Sequence, residues 1–223
     1  MAKVFLSAGH GGSDPGACAN GLVEKNINLN ALLACKDVLE DHGVIIVASR
    51  TTDANDPVQE EVREANASGA DIAVSFHANA GGGDGFEDFY YTTSANGKRL
   101  AQLLEKHVKE LGQNSRGCKS GNHLMFVRAT NMPAVLVESF FLDNSADKAI
   151  GDTVAEQNAF GVAYAKGILE YFGIAYKAPV ANSAPSSDEL YRVQVGAFKN
   201  KANAEKLMAE LKAEGYSAFI KSE

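Results

Sequence analysis

The chain has 223 residues, 45% of them hydrophobic, which suits one sizeable globular domain plus an appendage. Its net charge of −7 argues against nucleic acid or anionic lipid as the main partner, because both require a basic face. No stretch approaches the roughly 18 unbroken apolar residues of a membrane helix, so membrane insertion is not expected. Cys18, Cys35 and Cys118 are odd in number and lack CxxC spacing, which makes reduced thiols the default rather than a disulfide framework.

Along the chain, strand-like apolar runs are expected at residues 3–8, 44–49, 72–76, 86–91, 125–127 and 134–139. They alternate with segments of helical apolar spacing at 24–42 (Ile27, Ala31, Ala34, Val38), 57–68, 95–111 and 153–172. Alternation of this kind predicts an α/β fold with a mostly parallel sheet of about six strands and helices on both faces. Gly43 and Gly69 stand where C-terminal glycine caps would end their helices. MAKVFLSAGHGG runs from Met1 straight into a strand with no secretory pattern. Synthesis in the cytoplasm is the expectation, with any work outside the cell following release by another route.

Four residues at the ends or edges of apolar segments carry the chemical signal. His10 follows KVFLSA and opens the Gly-rich loop GHGGSDPGA; Glu24 opens the first helix; His77 ends DIAVSF; Glu138 ends PAVLV. α/β proteins gather their chemistry where strands give way to loops. Each residue also has a plain structural reading: a polar strand end for either histidine, a helix-dipole charge for Glu24. Glu138 is the hardest to dismiss, because a glutamate between AVLV and SFFL needs a compensating partner if it is buried. Three of the four could meet around one metal ion while the last carboxylate stays free. Two imidazoles, one carboxylate and an open position form the donor set of a catalytic zinc site.

Other candidates weigh less. His42 and His107 lie on expected helices among charged residues and read as solvated; His123, before LMFVR, could face the site. Cys18, in the loop between His10 and Glu24, could replace a ligand but as an isolated thiol reads as packing. Arg50 and Arg63 read as structural ion pairs, and Glu87 and Asp88 as residues that could orient a ligating imidazole.

After Phe172 the texture changes. KAPVANSAPSSD, residues 177–188, reads as a linker. Residues 189–223 follow as strand, amphipathic helix and strand, a small βαβ appendage with edges it cannot cover alone, so self-association through it is a further expectation. Residues 176–223 hold seven Lys/Arg and six Asp/Glu, against fourteen and twenty-two in residues 1–175, so the acidity belongs to the larger part.

GHGGSDPGA, the helix-opening glutamate, SRTTD, REANASGADIAVSFHANA, GFEDFYY and PAVLVESFFLDN, in this order, resemble the zinc-dependent N-acetylmuramoyl-L-alanine amidases of the type-3 amidase family over about residues 3–173. The resemblance implies peptidoglycan as substrate and hydrolysis of the amide between N-acetylmuramic acid and L-alanine. It implies one zinc ion on His10, Glu24 and His77, with Glu138 as catalytic carboxylate. YRVQVGAFKNKANAEKLMAELKAEGYSAFIKS is similar to one half of a SPOR repeat, a peptidoglycan-binding module of βαββαβ pattern. Together these imply residues 1–175 as a catalytic domain, 176–188 as linker and 189–223 as a partial wall-binding repeat, in the manner of sporulation-associated or phage-encoded amidases. The competing readings are a zinc exopeptidase and a non-catalytic wall-binding protein.

Overall fold

The computed structural model describes residues 1–178, 195–213 and 219–220. The chain divides into two compact units, Met1–Lys177 and Ala178–Glu223. In the first, the elements in chain order are β1 (Lys3–Ala8), the short β2 (Cys18–Ala19) and β3 (Leu22–Val23), α1 (Glu24–Asp41), β4 (Ile45–Ala48), α2 (Val58–Ser68), β5 (Ile72–Asn79), β6 (Phe86–Tyr90), α3 (Ala95–Lys109), β7 (Ser115–Ser120), α4 (Met125–Ala129), β8 (Ala134–Phe141), α5 (Ser145–Gly151) and α6 (Val154–Tyr171). The second unit contributes α7 (Lys201–Ala213) among the described residues. The strands expected to flank α7 lie largely outside those residues, and 195–198 and 219–220 carry no strand.

Six strands form one sheet in the order β4-β1-β5-β8-β6-β7. β4, β1, β5 and β8 are mutually parallel, and β6 and β7 run parallel to each other but antiparallel to β8. The expected mostly parallel α/β sheet is therefore present, with one antiparallel pairing, β8 with β6. Its two faces follow from alternation along the strands. Val4, Leu6, Ala8, Ile72, Val74, Phe76, Val135 and Val137 face the large core with α1, α3 and α6 residues such as Ile27, Leu104 and Tyr164. Phe5, Ala73 and Ala134 face a smaller core with Val62 and Ala65 of α2 and Phe126 of α4.

One expected strand is a helix. MFV at 125–127 belongs to α4, whose Phe126 is buried and packs against Phe5 at 6.4 Å between ring centroids. A three-residue apolar run carries no period long enough to separate strand from helix, so the tertiary site decides. The sixth strand is instead SRGCKS, an edge strand whose polar sequence hides it from any hydrophobicity pattern. Helix ends obey local chemistry: Gly69 takes the left-handed conformation that caps α2, and Thr153 with Glu156 makes a reciprocal capping box on α6.

Candidate metal centre and active site

The site forms at the carboxyl ends of β1 and β5 and along β8, on the edge where the parallel strands meet their loops. His77 on β5 lies in register beside Glu138 on β8, so both point from the same face. His10 follows β1 and holds a left-handed backbone, φ 65°, a strained conformation for a residue with a Cβ. Glu24 comes from the opposite direction as the first residue of α1, buried at 5% exposure.

These residues converge. Glu24 Oε1 lies 3.2 Å from His10 Nε2 and 3.0 Å from His77 Nδ1, and one potential ligand atom from each of the three lies within 4.8 Å of the others. Supporting contacts fix His10 and Glu24. His10 Nδ1 faces Asp14 Oδ2 at 2.8 Å, which directs Nε2 toward Glu24. Glu24 Oε2 accepts from Ala17 N at 2.8 Å, and Oε1 accepts from Asn28 Nδ2 and Ala78 N at 3.3 and 3.2 Å. Two glycines make the approach sterically feasible. A Cβ on Gly9 would lie 2.1 Å from the His77 ring, and one on Gly16 would lie 2.5 Å from Glu24 Oε2.

The electrostatics match this crowding. Hydrogen bonding to Glu24 and Asp14 outweighs burial and raises His10 to about 9. Burial pushes the Glu24 carboxyl up, yet the bonds from His10 and His77 hold it well below the usual carboxylate range. Three lone-pair-bearing atoms this close are compatible only with protons or a cation between them. The donor set of two imidazoles and one carboxylate, with a carboxylate orienting one imidazole, fits a metal ion of the zinc type. Glu138 is nearby and outside this triad: burial lifts it to about 7, and its Oε2 is a buried atom with no hydrogen-bond partner. All four residues singled out from the sequence are thus gathered at one strand edge.

Several residues have roles the sequence did not disclose. Arg50 makes no ion pair among the described residues. Its guanidinium donates to the carbonyls of Ala8 (2.8 Å), Gly9 (3.3 Å), Lys25 (2.7 Å) and Thr52 (3.1 Å), clamping the His10 loop to the start of α1. Asp53 accepts from Gly12 N at 2.7 Å and pairs with Lys25 at 2.7 Å, so the SRTTD segment braces the metal-binding loop. Asp14, which reads as a turn residue in DPG, also orients His10; an acid four residues after a candidate ligand is the available signal. Glu87 is held by Asn79, Arg116 and Lys119 on the face of Glu138, whereas Asp88 is buried on the other face beside Cys118. His42 and His107 are engaged rather than solvated. His42 Nδ1 donates to the Val38 carbonyl at 2.7 Å, and His107 sits between Glu110 and Glu170 at 3.0 and 2.8 Å. His123 is exposed, edge-on to Phe89. Cys18, Cys35 and Cys118 are free thiols, and Cys18 takes no part in the triad.

Comparison with known proteins places the chain in a family. Residues 4–170 match the family model described as N-acetylmuramoyl-L-alanine amidase, and residues 185–223 match that of the SPOR domain. The chain is 36% identical to the N-acetylmuramoyl-L-alanine amidase CwlM of Bacillus licheniformis over 225 residues, covering 99% of this chain and 85% of that protein. It is 35% identical to the sporulation-specific N-acetylmuramoyl-L-alanine amidase of Bacillus subtilis (strain 168), covering 99% and 84%. Among solved structures, the catalytic domain of CwlV, an N-acetylmuramoyl-L-alanine amidase from Bacillus (Paenibacillus) polymyxa var. colistinus, superposes with a TM-score of 0.73 at 31% identity, covering 78% of this chain and all of that one. Family model, relatives and fold therefore agree, and the chain belongs to the N-acetylmuramoyl-L-alanine amidase family.

Proposed function

We propose that this protein is a zinc-dependent peptidoglycan amidase that hydrolyses the bond between the lactyl carbonyl of N-acetylmuramic acid and the nitrogen of L-alanine. The observation that carries the reading is the convergence of His10, Glu24 and His77 beside a buried carboxyl, Glu138, that has one oxygen free. In this reading His10, Glu24 and His77 hold one zinc ion. Such an ion supplies Lewis acidity toward a carbonyl and acidifies water near neutral pH.

Glu138 does the proton work. Its position near 7 lets it exist as a base at neutral pH and still carry a proton once it has taken one. It accepts the proton from the attacking water as the new carbon–oxygen bond forms. It then delivers that proton to the alanine nitrogen as the carbon–nitrogen bond breaks, releasing a muramic carboxylate and a free amine. Glu24, held ionised by its neighbours, leaves the neutral-imidazole triad with a single negative charge, so a bound dication keeps net positive charge for the developing oxyanion.

The domain plan belongs to the same proposal: residues 1–175 catalyse, 176–188 link, and 189–223 act as a partial SPOR-like repeat that holds the enzyme on peptidoglycan. The site of action is the cell wall. Dye release from labelled peptidoglycan, with mass spectrometry of the soluble products, tests the reading. Loss of release with a chelator, recovery with zinc, and new N-terminal alanine are expected. Free amino acids as products, or activity indifferent to chelation, would overturn it.

A further inference from the structure

Beside Glu138 the sheet carries a second charged cluster that the proton chemistry above leaves unused. β6 runs antiparallel to β8, and Glu87 lies directly opposite Glu138 in the register. Glu87 is 6% exposed and accepts from Asn79 Nδ2 at 2.9 Å, from Arg116 Nε at 2.9 Å and from Lys119 Nζ. One carboxylate therefore holds two cations, and the cluster keeps a net charge of +1. Arg116 uses only its Nε in this contact, and its guanidinium lies over the Phe141 ring at 5.2 Å. Its terminal nitrogens have no partner among the described residues. Arg116 and Lys119 are 41% and 35% exposed at the side chain; Arg116 is anchored through Nε with its terminal nitrogens left over, and the Lys119 ammonium, held by Glu87, has further N–H donors beyond that one contact. An oriented guanidinium and an ammonium held by one carboxylate match a second carboxylate, which Arg can take in a bidentate grip.

We propose that Arg116 and Lys119, aligned by Glu87, form a subsite for a free carboxylate on the peptide side of the scissile amide, just beyond the L-alanine. This rests on the amidase reading. The direction follows from the chemistry at Glu138: the group that protonates the departing nitrogen marks the peptide side, and the β6–β7 edge continues from Glu138 away from the triad. The lactyl carboxyl of muramic acid is consumed in the scissile bond, so the free carboxylates of the substrate belong to the peptide. A cationic pair on a catalytic unit that is acidic as a whole therefore discriminates for acidic stem peptides and against amidated ones. Arg116, Lys119 and Glu87 act here in binding and positioning.

The test compares two small substrates, N-acetylmuramoyl-L-alanyl-D-glutamate and its diamide, using purified zinc-loaded full-length protein. The wild type is expected to prefer the diacid by about tenfold or more in kcat/KM, with the difference mainly in KM. In the double variant Arg116→Gln/Lys119→Gln the ratio collapses toward one. Neutralising both cations leaves Glu87 uncompensated beside Glu138, so kcat falls on both substrates, and the ratio cancels that common effect. Arg116→Lys restores part of the preference, which a purely structural role for Arg116 would not do. A measurement on the wild type alone guards against a variant that misfolds: L-alanyl-D-glutamate inhibits wall hydrolysis more strongly than its diamide, and added salt narrows the gap. Equal cleavage of diacid and diamide, equal inhibition, or an unchanged ratio in the double variant overturns the subsite while leaving the amidase reading standing. Failure to cleave either substrate overturns both.

Discussion

His10 occupies a left-handed backbone that favours glycine, with Gly9, Gly11 and Gly12 around it. The strain is tolerated because Asp14, Arg50 and Asn28 hold the loop from three sides: Asp14 on the His10 ring, and Arg50 and Asn28 on the Gly9 carbonyl. Substitutions here should separate holding the metal from moving protons. Glu138→Gln is expected to bind zinc at full stoichiometry and lose about 10²–10⁴-fold in kcat, as removal of a general base does. His10→Ala and His77→Ala should lose metal and activity together, as elemental analysis beside dye release will show. Gly9→Ala is a sterner probe, because its new methyl would overlap the His77 ring; metal content should fall with no ligand changed. Asp14→Ala changes no ligand but removes the bond that orients His10 and a turn bond from Gly16 N, and zinc affinity should drop about 10–100-fold in chelator competition. Retention of zinc by Gly9→Ala would show that the His77 ring has room to move.

At the scale of elements, the site depends on a strand end, a helix start and a braced loop arriving together. Arg50 is the joint, since its four bonds to carbonyls tie β1, the His10 loop and the first turn of α1 into one body. Arg50→Ala removes the donor to four carbonyls at once, of which Gly9 keeps Asn28 as a partner, at a cost of roughly 3 kcal/mol. Urea titration should show that loss, with zinc affinity falling in parallel. Arg50→Lys should rescue little, because one ammonium cannot span four acceptors that a planar guanidinium reaches. The capping box of α6 supplies the contrast: Thr153→Ala should cost about 1 kcal/mol and leave kcat/KM unaltered, because it lies outside the catalytic cluster. The SRGCKS edge strand matters for another reason. It carries Arg116 and Lys119 to the face of Glu138, which an apolar strand in its place would not do.

Taken as a whole, the molecule buries acids that titrate near neutrality. Burial pushes Glu61, Asp88 and Glu138 each up to about 7, from 4.5, 3.8 and 4.5 in the unfolded chain. Between those limits the folded chain holds protons that the unfolded chain has lost, so stability rises as pH falls from 7 toward 4.5. His10 works in the same sense at higher pH. Its rise from 6.5 to about 9 contributes stability that is complete below 6.5 and lost as pH climbs through 9. Glu24, held low, acts oppositely, and its contribution is present above 4.5 and lost on further acidification. The metal-free protein should therefore melt highest at about pH 5–6 and progressively lower toward pH 9. Zinc reverses the upper limb, since ligation requires His10 to be deprotonated, so the gap between zinc-loaded and chelated melting temperatures should widen from pH 6 to pH 9. A chelated protein whose melting temperature is flat or rising over that range would contradict this account.

The sequence by itself determined the α/β class, most strand and helix positions, and the four residues that converge, because strong apolar periods and His or Glu at the ends of apolar segments are local signals. Lys3–Ala8 and the helix starting at Glu24 could be read directly from the chain. It could not separate the helix at Met125 from a strand, or find the strand at Ser115, since one is too short to show a period and the other is polar along its length. Nor could it show that Arg50 grips carbonyls, that Asp14 aims His10, or that Glu87 gathers Arg116 and Lys119 opposite Glu138. Those depend on which groups the sheet order β4-β1-β5-β8-β6-β7 brings within reach. Hydrogen bonds and charge pairs between residues far apart in the chain leave no periodic trace in it, and only the tertiary structure decides them.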